Sequence, residues 1–232
     1  MSESGSTARR ERLAVPEQLA RRVAQLLIGL VSCGIGIAFI LRSNLGAGSW
    51  DVLTQGISHH VSLSFGTITV ITSGIVLLLW IPLRQKPGLG TILNTVTIGP
   101  SVDVGLSLIP EVDAIWIRVI FITIGIVVIG MGTGLYIGAR LGPGPRDGLM
   151  TGLHRVTGRP IWIVRVTLEL TVVALGWMLG GTVGAGTVAV SVFIGPVCQY
   201  FMRMFHMRLS SDTEPNVVAS VDVCETVAEA TA

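Results

Sequence analysis

The sequence is internally duplicated, and that constrains its fold more than any other feature. Displaced by 96 residues, the stretch 22–107 overlies 118–203 without a gap; 24 of the 86 pairs are identical, nine of them glycine on glycine. Gly34 and Gly36 fall on Gly130 and Gly132, Leu45-Gly46-x-Gly48 on Leu141-Gly142-x-Gly144, and Asp51 on Asp147. Further on, Gly88-x-Gly90-Thr91 falls on Gly184-x-Gly186-Thr187, and Ile98-Gly99-Pro100 on Ile194-Gly195-Pro196. Apolar composition produces chance matches among Val, Ile and Leu. It does not set Asp, Pro and a row of glycines at one offset.

The duplicated unit belongs to a membrane chain. Half the residues are hydrophobic, 13% are charged and the mean hydropathy is +0.72, far from the balance of a soluble domain. A helix needs about 20 apolar residues to cross the hydrocarbon core. Six segments qualify as predicted spans, 23–41, 65–83, 89–109, 118–138, 161–179 and 185–204, three in each copy. The first 22 residues form a polar basic tail, and the run after it reads as a retained span, since no small-residue cleavage site follows. Residues 206–232 read as a disordered acidic tail, leaving 23–205 as the membrane domain.

Charge placement sets a predicted topology. With both termini in the cytoplasm, thirteen basic residues fall inside and only Arg42 and Arg118 outside, with Arg165 within a span. Three spans per copy is an odd number, so the second copy must enter the membrane inverted. The expected fold is therefore an all-α polytopic membrane protein of six transmembrane helices, built as two inverted three-helix repeats. The segments 45–63 and 141–159 are less apolar and open on glycines. Each reads as a loop followed by a short helix, broken or re-entrant.

Those breaks carry the most specific local signal. Gly46, Gly48, Gly142 and Gly144 permit positive φ and close backbone approach. Ser49 reads as an N-cap and Pro145 as a first-turn residue, which puts Asp51 and Asp147 near helix N-termini. They either stabilise those helix ends or supply oxygen ligands to a solute, a cation or a proton. Arg165 and Glu169, four apart on one face of the fifth span, are either a structural ion pair or part of a solute path. Asp103, with Asn94 and Thr95 on the same span, is a further buried polar candidate. Pro100 and Pro196 mark kinks or hinges, and the small residues around them predict that the third and sixth spans pack closely together.

Other chemistry is poorly represented. The three cysteines lack paired spacing, the four histidines lack metal-ligand spacing, and no phosphate-binding glycine loop or hydrolase motif occurs. No enzyme, metal, cofactor or nucleic-acid partner is therefore expected. The partners compatible with the pattern are the lipid bilayer, a small solute or ion, a second copy of the chain, or a protein partner.

The runs Leu45-Gly-Ala-Gly-Ser-Trp-Asp-Val-Leu, Gly66-Thr and Gly88-Leu-Gly-Thr, and above all Leu141-Gly-Pro-Gly-Pro-Arg-Asp-Gly-Leu-Met, resemble the YczE/YyaS/YitT group of bacterial integral membrane proteins. The resemblance covers about residues 20 to 205. It implies a multi-pass protein of the bacterial cytoplasmic membrane and brings no substrate and no catalytic residue. Two functions follow as expectations: a small-solute transporter or exporter without its own ATPase, or a membrane scaffold that binds a partner.

Overall fold

The computed structural model describes residues 3–205, with side chains from 19 to 204; the expected acidic tail, 206–232, lies outside the described residues. Eight helices and no strand occur among those residues: α1 (Glu3–Ser43), α2 (Ser49–Ser58), α3 (Phe65–Trp80), α4 (Leu89–Leu108), α5 (Ile115–Gly138), α6 (Pro145–Thr157), α7 (Ile161–Met178) and α8 (Ala185–Phe205). Four segments are long and apolar enough to cross a bilayer: Leu19–Ser43, Ile115–Gly138, Ile161–Met178 and Ala185–Met204. The other two expected spans fall short for different reasons. Helix α3 is apolar but only 16 residues long, whereas α4 has 20 residues but includes Thr91, Asn94, Thr95, Ser101 and Asp103. Helix α1 runs without interruption from Glu3 through the basic tail into the first span.

At the centre, α1 and α5 run antiparallel and nearly touch. A methyl group on Gly29 would lie 2.7 Å from the Gly132 carbonyl oxygen, and one on Gly36 would lie 3.0 Å from that of Gly125. These two contacts exchange under the 96-residue offset. Between them the Cys33 thiol faces the carbonyl of Ile129, its own equivalent, at 3.7 Å. Small residues let helix backbones approach this closely, which is the main source of packing energy where lipid supplies no hydrophobic drive. The flanking contacts repeat the pattern. Helix α4 lies on α1 through Gly34 against Ser101 and Gly105 against Ala38, and α8 lies on α5 through Gly130 against Val197 and Gly134 against Phe201.

The third-span glycines therefore do not join α4 to α8, contrary to the sequence expectation; these helices occupy opposite flanks of the α1–α5 pair. Their first turns instead hold the broken segment of the other copy. The Gly90 N–H donates to Leu141 O at 2.8 Å and the Gly186 N–H to Leu45 O at 2.9 Å. The Thr91 hydroxyl adds a bond to Pro143 O at 2.7 Å. Within each break the chain reverses through a left-handed residue, Asn44 (φ 53°) or Arg140 (φ 54°). Gly46 (φ 127°) and Gly142 (φ 128°) follow, in a region that side chains disfavour.

The short helices pack on the opposite copy as well. Val52 of α2 lies over Gly176 of α7, while Trp80 of α3 lies over Gly148 of α6. Large and small residues have changed places between equivalent seams, so each is filled once. The Trp80 indole N–H is satisfied by Pro145 O at 3.0 Å. Pro145 takes the first helical position as expected, but Ser49 does not cap: Gly48 and Gly144 are the N-caps and Ser49 is already helical. Pro100 and Pro196 lie inside continuous helices.

The α1–α5 contact and the open surface of α3 give opposite expectations. Gly132→Leu drives a side chain into the Gly29 backbone and is expected to cost about 3 kcal/mol or more, or to abolish folding. Gly74 has nothing within 4 Å of an added methyl group, so Gly74→Ala is expected to be neutral or stabilising by up to about 1 kcal/mol. Thermal unfolding of the detergent-purified variants checks both.

Candidate functional site

Because both breaks turn back toward the α1–α5 pair, the N-termini of α2 and α6 meet. Trp50 and Arg146 are equivalents under the repeat, and the Arg146 guanidinium stands 5.2 Å from the centre of the Trp50 ring. A cation over an aromatic face at that distance is held by the ring quadrupole. The same guanidinium approaches Asp51, with Nη2 3.8 Å from Oδ1. Sequence reasoning placed the two aspartates at helix N-termini but missed this contact. Its only signal was the exchange of Trp for Arg immediately before an identical Asp.

The two carboxylates share a backbone position and differ in surroundings. The Asp51 side chain is 9% exposed, and its Oδ1 is buried without a hydrogen-bond partner. Asp147 accepts a bond from the Tyr136 hydroxyl at 3.1 Å. The equivalent of Tyr136 is Ile40, which has no hydroxyl to offer Asp51. Tyr136 was likewise missed, being one aromatic in an apolar run.

Each of the remaining expected residues has a definite place. Gly48 and Gly144 lie directly beneath the carboxylates: a methyl group there would come within 2.8 Å of Asp51 Oδ2 or 3.0 Å of Asp147 Oδ2. Arg165 and Glu169 pair on α7, Nε to Oε1 3.1 Å. Asp103 belongs elsewhere. It accepts bonds from the Ser64 hydroxyl at 2.6 Å and the Gly66 N–H at 2.7 Å, holding the start of α3 against α4. Asn94 reaches the neighbourhood of Gly144, on the Asp147 side of the site.

The arrangement joins an unsatisfied buried acceptor, a guanidinium with 36% of its side chain exposed, and a tyrosine-bonded carboxylate. An acceptor left without a donor costs about 1–3 kcal/mol of stability, more if charged. Such a group suits a proton or the donor group of a solute, with Arg146 available to an acceptor group.

Comparison with known proteins sets the chain in a family. Residues 20–203 match the family of unknown function DUF6198, and the chain belongs to it. An uncharacterised protein of Haemophilus influenzae is 40% identical over 184 residues, 79% of this chain and 84% of that protein. Two Bacillus subtilis proteins are also similar. The uncharacterised membrane protein YczE is 29% identical over 79% of this chain and 86% of its own length. The uncharacterised protein YyaS is 27% identical over 79% and 94%. No solved structure matches the chain. The chain is thus a YczE-like membrane protein, as its glycine motifs indicated.

A buried carboxylate with an oxygen that lacks a hydrogen bond is costly to keep. Asp51→Asn is therefore expected to raise the melting midpoint of the purified protein, whereas a carboxylate serving as a helix cap would give the reverse, a loss of roughly 1 kcal/mol. Melting curves of the two proteins decide.

Proposed function

We propose that this DUF6198 member is a small-solute transporter or exporter without its own ATPase. In this reading six helices span the bacterial cytoplasmic membrane as two inverted three-helix repeats, with both termini in the cytoplasm. Helices α1, α3, α4, α5, α7 and α8 are the spans. Helices α2 and α6, with the breaks before them, are the re-entrant segments. Support for the inversion comes from the reciprocal contacts of α1 with α5, of loop 45–47 with α8, and of loop 141–143 with α4. With Arg146 set aside as a site residue, twelve basic residues fall inside against two outside, which supports the orientation.

One observation carries the functional reading. A residue in contact with its own equivalent lies beside the axis that relates the copies, and the axis of an inverted repeat lies at the middle of the membrane. Trp50 and Arg146 are such a pair, so in this reading Arg146 and the Asp51 oxygen that lacks a hydrogen bond lie near mid-depth. Ionisable groups there are costly and are retained for solute, ion or proton movement. Half-helix N-termini converging at the middle are also how many secondary transporters form their binding site. In this reading Asp51 takes the proton or donor group, Arg146 the acceptor group, and Tyr136 orients Asp147.

The first test is thermal unfolding of the purified protein against ions, amino acids, organic acids and amines. A ligand of the folded state at a hundredfold excess over its Kd adds about 2.7 kcal/mol of stability. The expected result is a dose-dependent shift that is lost in Asp51→Asn and in Arg146→Gln while both variants remain folded. Uptake of that compound into proteoliposomes should fall with it. A flat panel for monodisperse protein, or shifts unaffected by both substitutions, would overturn the assignment and favour a scaffold that recruits a protein partner.

A further inference from the structure

The two copies match at the seams described above and differ at one. In the first copy α3 lies directly on α4: a methyl group on Gly66 would sit 2.2 Å from the Gly99 carbonyl oxygen, and Asp103 closes the same seam through Ser64 and Gly66. In the second copy a methyl group on Gly195, the equivalent of Gly99, would meet nothing within 4 Å. Thr95 on α4 is buried, 7% exposed, whereas its equivalent on α8, Ser191, is exposed. Both hydroxyls bond back to the carbonyl four residues earlier, so the local helix is the same and only its neighbour differs. Helix α7 stands away from α8.

The substitutions explain why. Trp162 occupies the position of Gly66, so the glycine-to-glycine contact of the first copy has no equivalent, and Gln199 replaces Asp103, so no carboxylate ties down the start of α7. The opening is encoded in the side chains rather than imposed by the duplicated backbone.

The α7 side of the opening is polar. Arg165, Glu169, Val172 and Gly176 follow at spacings of four, three and four, one stripe along the helix. Val172 and Gly176 are buried, and Gly176 is packed on α2. The ion pair continues the same inward stripe, yet its side chains are 26% and 34% exposed. Partly exposed charged groups on a bundle-facing stripe of a membrane helix mark contact with water or a polar path.

We propose that the opening between α7 and α8, bordered by Arg165, Glu169, Ser191 and Gly195, is a water-filled path. It admits polar solutes to the axis site from the side on which α7 begins, and the α3–α4 seam is its sealed counterpart. This rests on the transport reading, but its test does not read transport.

Full-length protein with Cys224→Ser, which leaves Cys33 and Cys198 buried, is reconstituted in vesicles of known orientation. Ser191→Cys and Thr95→Cys, conservative probes at equivalent positions, are labelled with a charged, membrane-impermeant maleimide. Ser191→Cys is expected to react at least about tenfold faster than Thr95→Cys, and from one side only. Adding Gly195→Trp, which fills open space, is expected to slow that reaction about tenfold with an unchanged melting midpoint. Equal rates at the two positions would overturn the proposal. So would labelling of Ser191→Cys by a lipophilic maleimide alone, which means a lipid-filled seam, or indifference of the rate to a well-folded Gly195→Trp variant. Water access without any bound solute would instead refute the transport reading and leave the path standing.

Discussion

Backbone polar groups removed from water must find partners within the protein, and this requirement organises the whole molecule. Each copy contains one break where the helix ladder stops, at 44–48 and at 140–144. Neither copy can satisfy its own. The carbonyl of Leu45 takes the Gly186 N–H, and that of Leu141 takes the Gly90 N–H. The first turn of a helix has free N–H groups and the end of a helix has free carbonyls, so each copy supplies what the other lacks. The glycines at 88, 90, 184 and 186 make room for the loop to arrive.

From this exchange the position of the site follows. Loops anchored on the opposite copy direct α2 and α6 toward one another and set them on α7 and α3 respectively. The equivalent residues Trp50 and Arg146 then meet, and two identical aspartates are brought to one region. Chemistry comes from what the duplication did not preserve. Tyr136 against Ile40, Arg146 against Trp50, and Arg165 and Glu169 against Thr69 and Ser73 give one symmetric backbone two different sets of groups. A strictly symmetric pair of carboxylates would share one environment; here one is bonded to a tyrosine and the other has an oxygen without a donor.

Much of this was legible from the residues. The breaks, the short helices after them, the placement of Asp51 and Asp147, and the Arg165–Glu169 pair all follow from local rules: glycine conformations, helix starts and a four-residue spacing on one face. Local rules also misled. Ser49 has the chemistry of a cap, yet the extended residue before the helix is Gly48. The glycines of α4 and α8 were read as a contact between those two helices because small residues commonly serve that purpose, whereas the first-turn glycines receive a loop and Gly99 and Gly105 pack α4 on α3 and α1. Asp103 was read as a buried polar candidate in a span, and the structure adds that its carboxylate ties α3 to α4.

The sequence by itself determined a duplicated, helical membrane chain with two glycine breaks, because hydropathy, repeat offset and glycine placement depend only on near neighbours along the chain. Only the tertiary structure decided which copy satisfies which break, that Arg146 stands beside Asp51, and that α7 parts from α8 while α3 holds α4. Those outcomes depend on atoms more than 30 residues apart, as in Asp51 and Arg146 or Ser64 and Asp103. Packing distances of a few ångströms, such as room for a backbone at Gly66 and none at Trp162, cannot be read from spacing along a chain.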